Sequence, residues 1–246
     1  MSSSQSSVVQ YGTTPIPYTI LRSSKRKTVS IAIDPDQGVL VTAPKDTPVA
    51  RLDQVVRSKA AWITERTRRI SSLPPPPPAR EFVSGESFEY LGRHYRLKVH
   101  RGGQNGPVVR LSRGWLVVDL PGRVDASEVP SRARTAVVGW YRQHAAERLP
   151  ERVAEWAKKI GVPEPEVVVR EQRKRWASCD KTGVLRFNWR IVQAPMRLVD
   201  YVVAHELVHL VHADHTAAFW MRLGRAMPDY EVRRARLKEI GRGYEW

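Results

Sequence analysis

The 246-residue chain has one cysteine, Cys179, so it can form no internal disulfide, and the expectation is a reducing compartment. It has no stretch of eighteen consecutive apolar residues, which excludes a membrane-crossing helix. Its start, "MSSSQSSVVQYGTTP", is polar and serine-rich and has none of the apolar core of a secretory signal. Together these absences point to a cytoplasmic protein with no membrane partner. Blocks of six like charges are also missing. The excess of Lys+Arg (41) over Asp+Glu (25) is therefore a diffuse field rather than a charged tail. A formal charge of +16 favours polyanionic partners such as DNA or other nucleic acid, unless arginine is simply spread over solvated faces.

A hydrophobic content of 41% with eight tryptophans marks a folded chain. Residues 1–15 read as a disordered tail. From 16 to 73 the text is a strand and helix unit. "YTILRSS", "TVSIAID" and "GVLVTAP" alternate as strands do, and "TPVARLDQVVRSKAAWITERTRRI" has helical spacing. Leu52, Val55, Val56, Lys59, Trp62 and Ile63 share a face of that helix, and Thr47 is its expected cap. Residues 74–80 hold "PPPPP", which reads as a stiff polyproline spacer. The span 81–160 then repeats the pattern: strands "YRLKVHR", "VVRLSRG" and "WLVVDLP" precede a helix closed by Gly161. Trp62 follows Pro44 by eighteen residues and Trp140 follows Pro121 by nineteen, so a duplicated strand–strand–helix unit is expected.

From 161 to 246 the strand-like "EVVVREQRKRWASCD" and "GVLRFNWRIV" meet at the turn "DKTG". Pro195 opens a helix carrying "HELVHLVHADH", residues 205–215, which holds four of the chain's seven histidines. His205 and His209 are four residues apart, so on a helix both imidazoles leave one face and reach one zinc ion. Glu206 stands beside them, where it can hold a metal-bound water and accept its proton. Histidines on an apolar helix are usually packed core residues. Here three ionisable groups on "LVDYVVA" need a reason to be in a dry setting, and a metal provides it. The third ligand is His212 or His215. His212 continues the row of His205 and His209 and would crowd one side of the ion, whereas His215 can approach after a chain reversal near 211–213. His215 is therefore expected, with His212 tolerating a left-handed backbone at the turn.

The segments "RWASC", "GVLRFNWRIVQAP", "DYVVAHELVHLVHADHTAAFW" and "MPDYEVRR" resemble the YgjP-like metallopeptidase family, related to SprT and Spartan-type zinc proteases. "YTILRSSKRKTVSIAI", "LVTAP" and "GESFEYLGRHYRL" extend the resemblance over nearly the whole chain, and Ala177 stands where glycine is expected. The resemblance implies an α+β fold. It would have a zincin-like metallopeptidase core, a small sheet plus active-site helix, preceded by the strand–strand–helix units, the whole forming one integrated family domain from 16 to 246. It implies one Zn2+ per chain on His205, His209 and His215, Glu206 as catalytic base, and an edge strand within 167–191 that aligns a peptide substrate. His212 is then a helix terminator, a partner behind the ligands or an oxyanion donor, and Tyr230 is a further candidate for stabilising an oxyanion. The expected function is a zinc-dependent metallopeptidase, acting on nucleic-acid-associated proteins if the charge serves DNA. The alternative is a zinc-stabilised nucleic-acid-binding module with vestigial or no peptidase activity; a metal hydrolase of non-peptide bonds ranks third. Cys179 reads as a packed thiol, Arg175 and Trp176 as anchors of the hairpin, and Tyr201 as core.

Overall fold

The computed structural model describes residues 5–34, 37–71, 79–103, 106–172, 175–244 and 246. The chain is α+β and divides into two compact units, Met1–Pro75 and Pro76–Trp246.

The first unit is a four-stranded sheet with two helices. Its strands are β1 (Gln5–Tyr11), β2 (Thr14–Ser23), β3 (Ser30–Asp34) and β4 (Gly38–Pro44), in the order β1-β2-β4-β3. β2 and β4 are parallel and the outer pairings are antiparallel. Alternate residues Ile16, Tyr18 and Ile20 of β2 face the core, as do Val39, Val41 and Ala43 of β4. The helices α1 (Val49–Ser58) and α2 (Ala60–Ser71) cover them with Leu52, Val56, Ala60 and Ile63.

Three expectations are corrected here. The supposed tail contains β1, whose seven residues pair with β2 from Gln5↔Ile20 to Tyr11↔Thr14. Only Val9 of β1 is buried, so an edge strand with one inward side chain reads like a polar tail. The single helix is two, parted at Lys59 (φ −108, ψ 8), and Trp62 on the second is 49% exposed rather than on the apolar face. Pro48, not Thr47, precedes the first helical turn, and no side chain caps it. The polyproline spacer lies almost entirely outside the described residues.

The second unit opens on the same sheet again. β5 (Ser87–Tyr90), β6 (Arg93–Gly103), β7 (Val108–Ser112) and β8 (Trp115–Pro121) take the order β5-β6-β8-β7, with β6 and β8 parallel. The duplication is real in topology, although each copy has four strands rather than two. A 32-residue helix, α3 (Val129–Ile160), follows and ends where Gly161 adopts a left-handed conformation. Next come β9 (Val167–Arg170), β10 (Ala177–Cys179) and β11 (Leu185–Asn188), with β11 central, parallel to β9 and antiparallel to β10. The chain then forms α4 (Met196–Val208), α5 (Ala217–Ala226) and α6 (Tyr230–Ile240).

No division falls at 160/161. Side chains of α3 from Ala133 to Ile160 share one core with Phe187, Trp189 and the apolar residues of α4. Two contacts fix the start of α4. The β5–β6 turn donates the Leu91 and Gly92 amides to the carbonyls of Val192 (2.7 Å) and Gln193 (3.1 Å), just before Pro195. Arg152 of α3 donates Nε to Asp200 of α4 at 2.7 Å, both largely out of solvent. A partly buried pair of this kind holds geometry as much as energy, because losing one partner strands the other. Among the described residues no helix is long and apolar enough to cross a membrane.

Candidate metal centre

α4 is apolar on nearly every side: Leu198, Val199, Tyr201, Val202, Val203, Ala204, Leu207 and Val208 are all buried. Such a helix forms only inside a core, so the polar residues near its end are held rather than free. His205 and His209 are half-buried there, and Glu206 is 7% exposed. The helix stops at Val208, a turn earlier than its apolar text suggests, with His209 as the capping residue in right-handed geometry. The His212 amide still bonds to the Val208 carbonyl at 3.0 Å, after which the chain reverses through Ala213 and Asp214 into α5.

That reversal brings His215 back onto the helix. One ring nitrogen from each of His205, His209 and His215 lies within 4.8 Å of the others, a spacing that could hold a metal ion. Nε2 of His215 and Nε2 of His205 are 2.9 Å apart. Burial, and then the neighbouring His209 and His215, push the His205 imidazole down to about 3. Burial and His209 also lower His215. Both rings are thus neutral near pH 7, and at this separation their Nε2 atoms either share a proton in an N–H···N hydrogen bond or present lone pairs to a common cation. Neutral nitrogens are the form that ligates zinc. The donor set fits a metal ion.

His209 is oriented by its other nitrogen: Nδ1 donates to the main-chain carbonyl of His212 at 3.0 Å, which turns Nε2 towards the cluster. The fourth histidine thus contributes its backbone rather than its ring. The left-handed turn expected at His212 is absent, since among the described residues only Phe82, Leu91 and Arg113 are non-glycine residues with positive φ. Two residues with no signal in isolated spacing complete the centre. Phe219 of α5 lies under all three imidazoles, with ring centroids 4.9, 4.7 and 4.7 Å from His205, His209 and His215. Trp220 stacks on His215 (5.4 Å, 27°) and on Tyr230 (5.4 Å, 18°). The aromatic pair "FW" one turn past His215 was the available clue.

Glu206 faces β10. Burial pushes its carboxyl up to about 7, against the opposing pull of the Cys179 main-chain amide and the Arg175 guanidinium. A carboxylate near neutrality is matched to taking and returning a proton at pH 7. A cleft of about 940 Å³ runs between the β10–β11 hairpin and the end of α4, lined by Arg175, Ser178, Thr182, Glu206, His209 and His215 among others. β10 is an outer strand of its sheet. Its Trp176 carbonyl and Asp180 amide turn inward to Asn188 (2.7 Å) and Val184 (3.1 Å). By alternation the main-chain groups of Ala177 and Cys179 point away from the sheet, on the side of Glu206. Burial and Glu206 raise the half-buried Cys179 thiol, which stays protonated.

The remaining candidates fall elsewhere. Tyr230 donates its hydroxyl to Glu231 at 3.2 Å, and neither it nor the His212 ring lines the cleft. Tyr201 sits one turn above His205, ring centroids 5.8 Å apart, on a second cavity. Trp176 anchors as expected, its ring lying where a Cβ on Gly241 would come within 3.0 Å, while Arg175 is exposed and borders both cavities.

A family profile described as "YgjP-like, metallopeptidase domain" matches residues 27–240. Among solved structures, the metallopeptidase zymogen of Pyrococcus abyssi abylysin is similar at 18% identity and TM-score 0.36, over 38% of this chain and 95% of its own. The metallopeptidase zymogen of Methanocaldococcus jannaschii jannalysin is similar at 23% identity and TM-score 0.34, over 38% and 94%. No curated protein shows significant similarity.

Proposed function

The chain belongs to the YgjP-like metallopeptidase family, and on that premise we propose that it is a zinc-dependent peptidase with His205, His209 and His215 as ligands and Glu206 as general base. The observation that carries this reading is a buried, near-neutral carboxylate adjoining three convergent imidazole nitrogens. A zinc ion, when bound, supplies an acidified water and polarises a carbonyl oxygen. The protein's own part is positional. Phe219 and the His212 carbonyl set the imidazoles, and the buried pocket holds Glu206 where it accepts a proton and passes it to the leaving amine. The outward groups of Ala177 and the carbonyl of Cys179, whose amide is taken by Glu206, offer an extended peptide a strand to pair with beside that carboxylate. A purely structural zinc module gives Glu206 no task and has no reason to bury it.

The test is metal content and hydrolysis in parallel. Purified protein should carry about one zinc per chain. Glu206→Gln should keep the zinc and lose peptide hydrolysis by about a thousandfold or more. His215→Ala should lose the zinc, whereas His212→Ala, which retains the carbonyl, should keep it. Zinc retained by His215→Ala, or hydrolysis retained by Glu206→Gln, ends the assignment.

A further inference from the structure

A second cavity of about 400 Å³ adjoins His205 and Glu206 from the other side of Ala177. Its walls are apolar where Trp176, Tyr201 and Leu237 meet. Its border is cationic: Arg175 precedes β10, and Arg234 and Lys238 stand one turn apart on α6. Glu206 is the one acidic group lining it, and that carboxylate is already engaged at the metal centre.

The cations on α6 are not equivalent. Arg233 bonds to Asp229 at 2.8 Å and Arg236 to Glu239 at 2.8 Å, so the helix's other arginines have carboxylate partners. Arg234 instead lies over the Trp220 ring at 4.8 Å, and neither it nor Lys238 pairs with a carboxylate among the described residues. Like charges at i and i+4 repel. A helix that neutralises two arginines and leaves the two cations bordering a cavity unneutralised keeps positive potential where an anion could enter. Trp220 also stacks on His215, which ties Arg234 to the catalytic side of the molecule.

We propose that this cavity is the side-chain pocket next to the scissile bond and selects glutamate, its apolar walls taking the methylene stem and Arg175, Arg234 and Lys238 reading the carboxylate. The inference rests on the peptidase reading above for its meaning, but not for its test. The net charge of +16 then serves to gather acidic protein segments.

The test measures binding in the zinc-loaded Glu206→Gln protein, where cleavage does not intervene. Fluorescein-labelled alanine octapeptides carry one Glu, Gln or Lys at each position in turn, and anisotropy gives their affinities. At one position the Glu peptide should bind about tenfold tighter than the Gln peptide. Arg234→Glu combined with Lys238→Glu should reverse the order so that Lys is preferred. Arg175→Glu, on a different element, should weaken the Glu preference independently, so misfolding of one variant does not remove the test; circular dichroism checks both. Equal affinities at every position, or a Glu preference unchanged in folded variants, overturns the proposal. So does an eight-nucleotide DNA that binds tighter than the Glu peptide and is lost with the same reversals, because the pocket would then read phosphate. Selective binding without hydrolysis by the wild type sinks the peptidase reading and leaves the pocket; hydrolysis without selectivity does the opposite.

Discussion

The chain builds one sheet twice and puts it to different uses. In the first copy the strands run β1-β2-β4-β3 and in the second β5-β6-β8-β7, with the same parallel centre and antiparallel flanks. The apolar stripe that closes the first sheet, Leu52, Val56, Ala60 and Ile63, has its counterpart in Ala133, Val137, Tyr141 and Ala145. The tryptophans that suggested the repeat do not occupy equivalent places, since Trp62 is 49% exposed and Trp140 only 7%. What separates the copies is the helix. The first breaks at Lys59 after ten residues, whereas α3 continues to Ile160 and carries Arg152 to Asp200 on α4, the helix of His205. A sheet with a short helix finishes its own core; the same sheet with a long helix becomes a platform for a second layer.

Core deletions should expose this difference most strongly. Leu52 and Leu149 are both fully buried, so Leu52→Ala and Leu149→Ala should each cost about 3 kcal/mol by urea unfolding. Leu149 lies one turn before Arg152, so its loss should also weaken zinc binding, which Leu52→Ala should leave intact. Equal loss of zinc in both variants would break the contrast between a closed unit and a platform. The turns give a smaller effect of the same kind. Gly12 and Gly92 both have positive φ, but a Cβ at Gly12 meets nothing within 4 Å, whereas at Gly92 it would lie 2.8 Å from the Cα of Pro195. Gly92→Ala should therefore cost about 2–3 kcal/mol and Gly12→Ala about 1 kcal/mol or less. Matching melting temperatures for the two would show that Gly92 does not brace the start of α4.

Much of this was legible in the sequence where one physical rule acted alone. Strand alternation found β2, β4, β6 and β8, and helical spacing joined to metal chemistry singled out His205, His209 and His215, whose ring nitrogens lie close together, and Glu206, which lines the same cleft. The misses arose where partners distant in sequence decide the outcome. β1 is polar and gains order only by pairing with β2, so composition alone suggested a tail. His212 reads as a helix terminator, a partner behind the ligands or an oxyanion donor, and of these the structure shows it partnering His209, through a main-chain carbonyl that its ring chemistry does not single out. Phe219 carries no polar signal, and its place beneath three imidazoles depends on how far the chain reverses after His209. The boundary expected at 160/161 failed because a helix can end where a core continues.

The finest distinction between the copies lies in the tyrosines that tie helix to sheet. Tyr18 of β2 donates to the Asp53 carboxylate of α1 at 2.9 Å, and Asp53 also accepts from Ser7 at 3.1 Å. Tyr141 of α3 donates to the Glu89 carbonyl of β5 at 2.5 Å, with its side chain fully buried. Tyr141→Phe leaves a carbonyl that water reaches poorly and should cost about 1–2 kcal/mol, whereas Tyr18→Phe leaves Asp53 its serine and should cost about 0.5–1 kcal/mol. Burial raises both phenols, Tyr18 with help from Asp53 and Tyr141 further still. A raised pKa in the folded state means the contribution is complete below the unfolded value of about 10 and is lost as pH rises through the folded one. The gap between wild type and Tyr18→Phe should then narrow above pH ~10, where the unfolded phenol ionises first. Denaturant midpoints between pH 8 and 11 measure it, and a gap that widens with pH would mean that Tyr18 is held as the anion rather than as a donor.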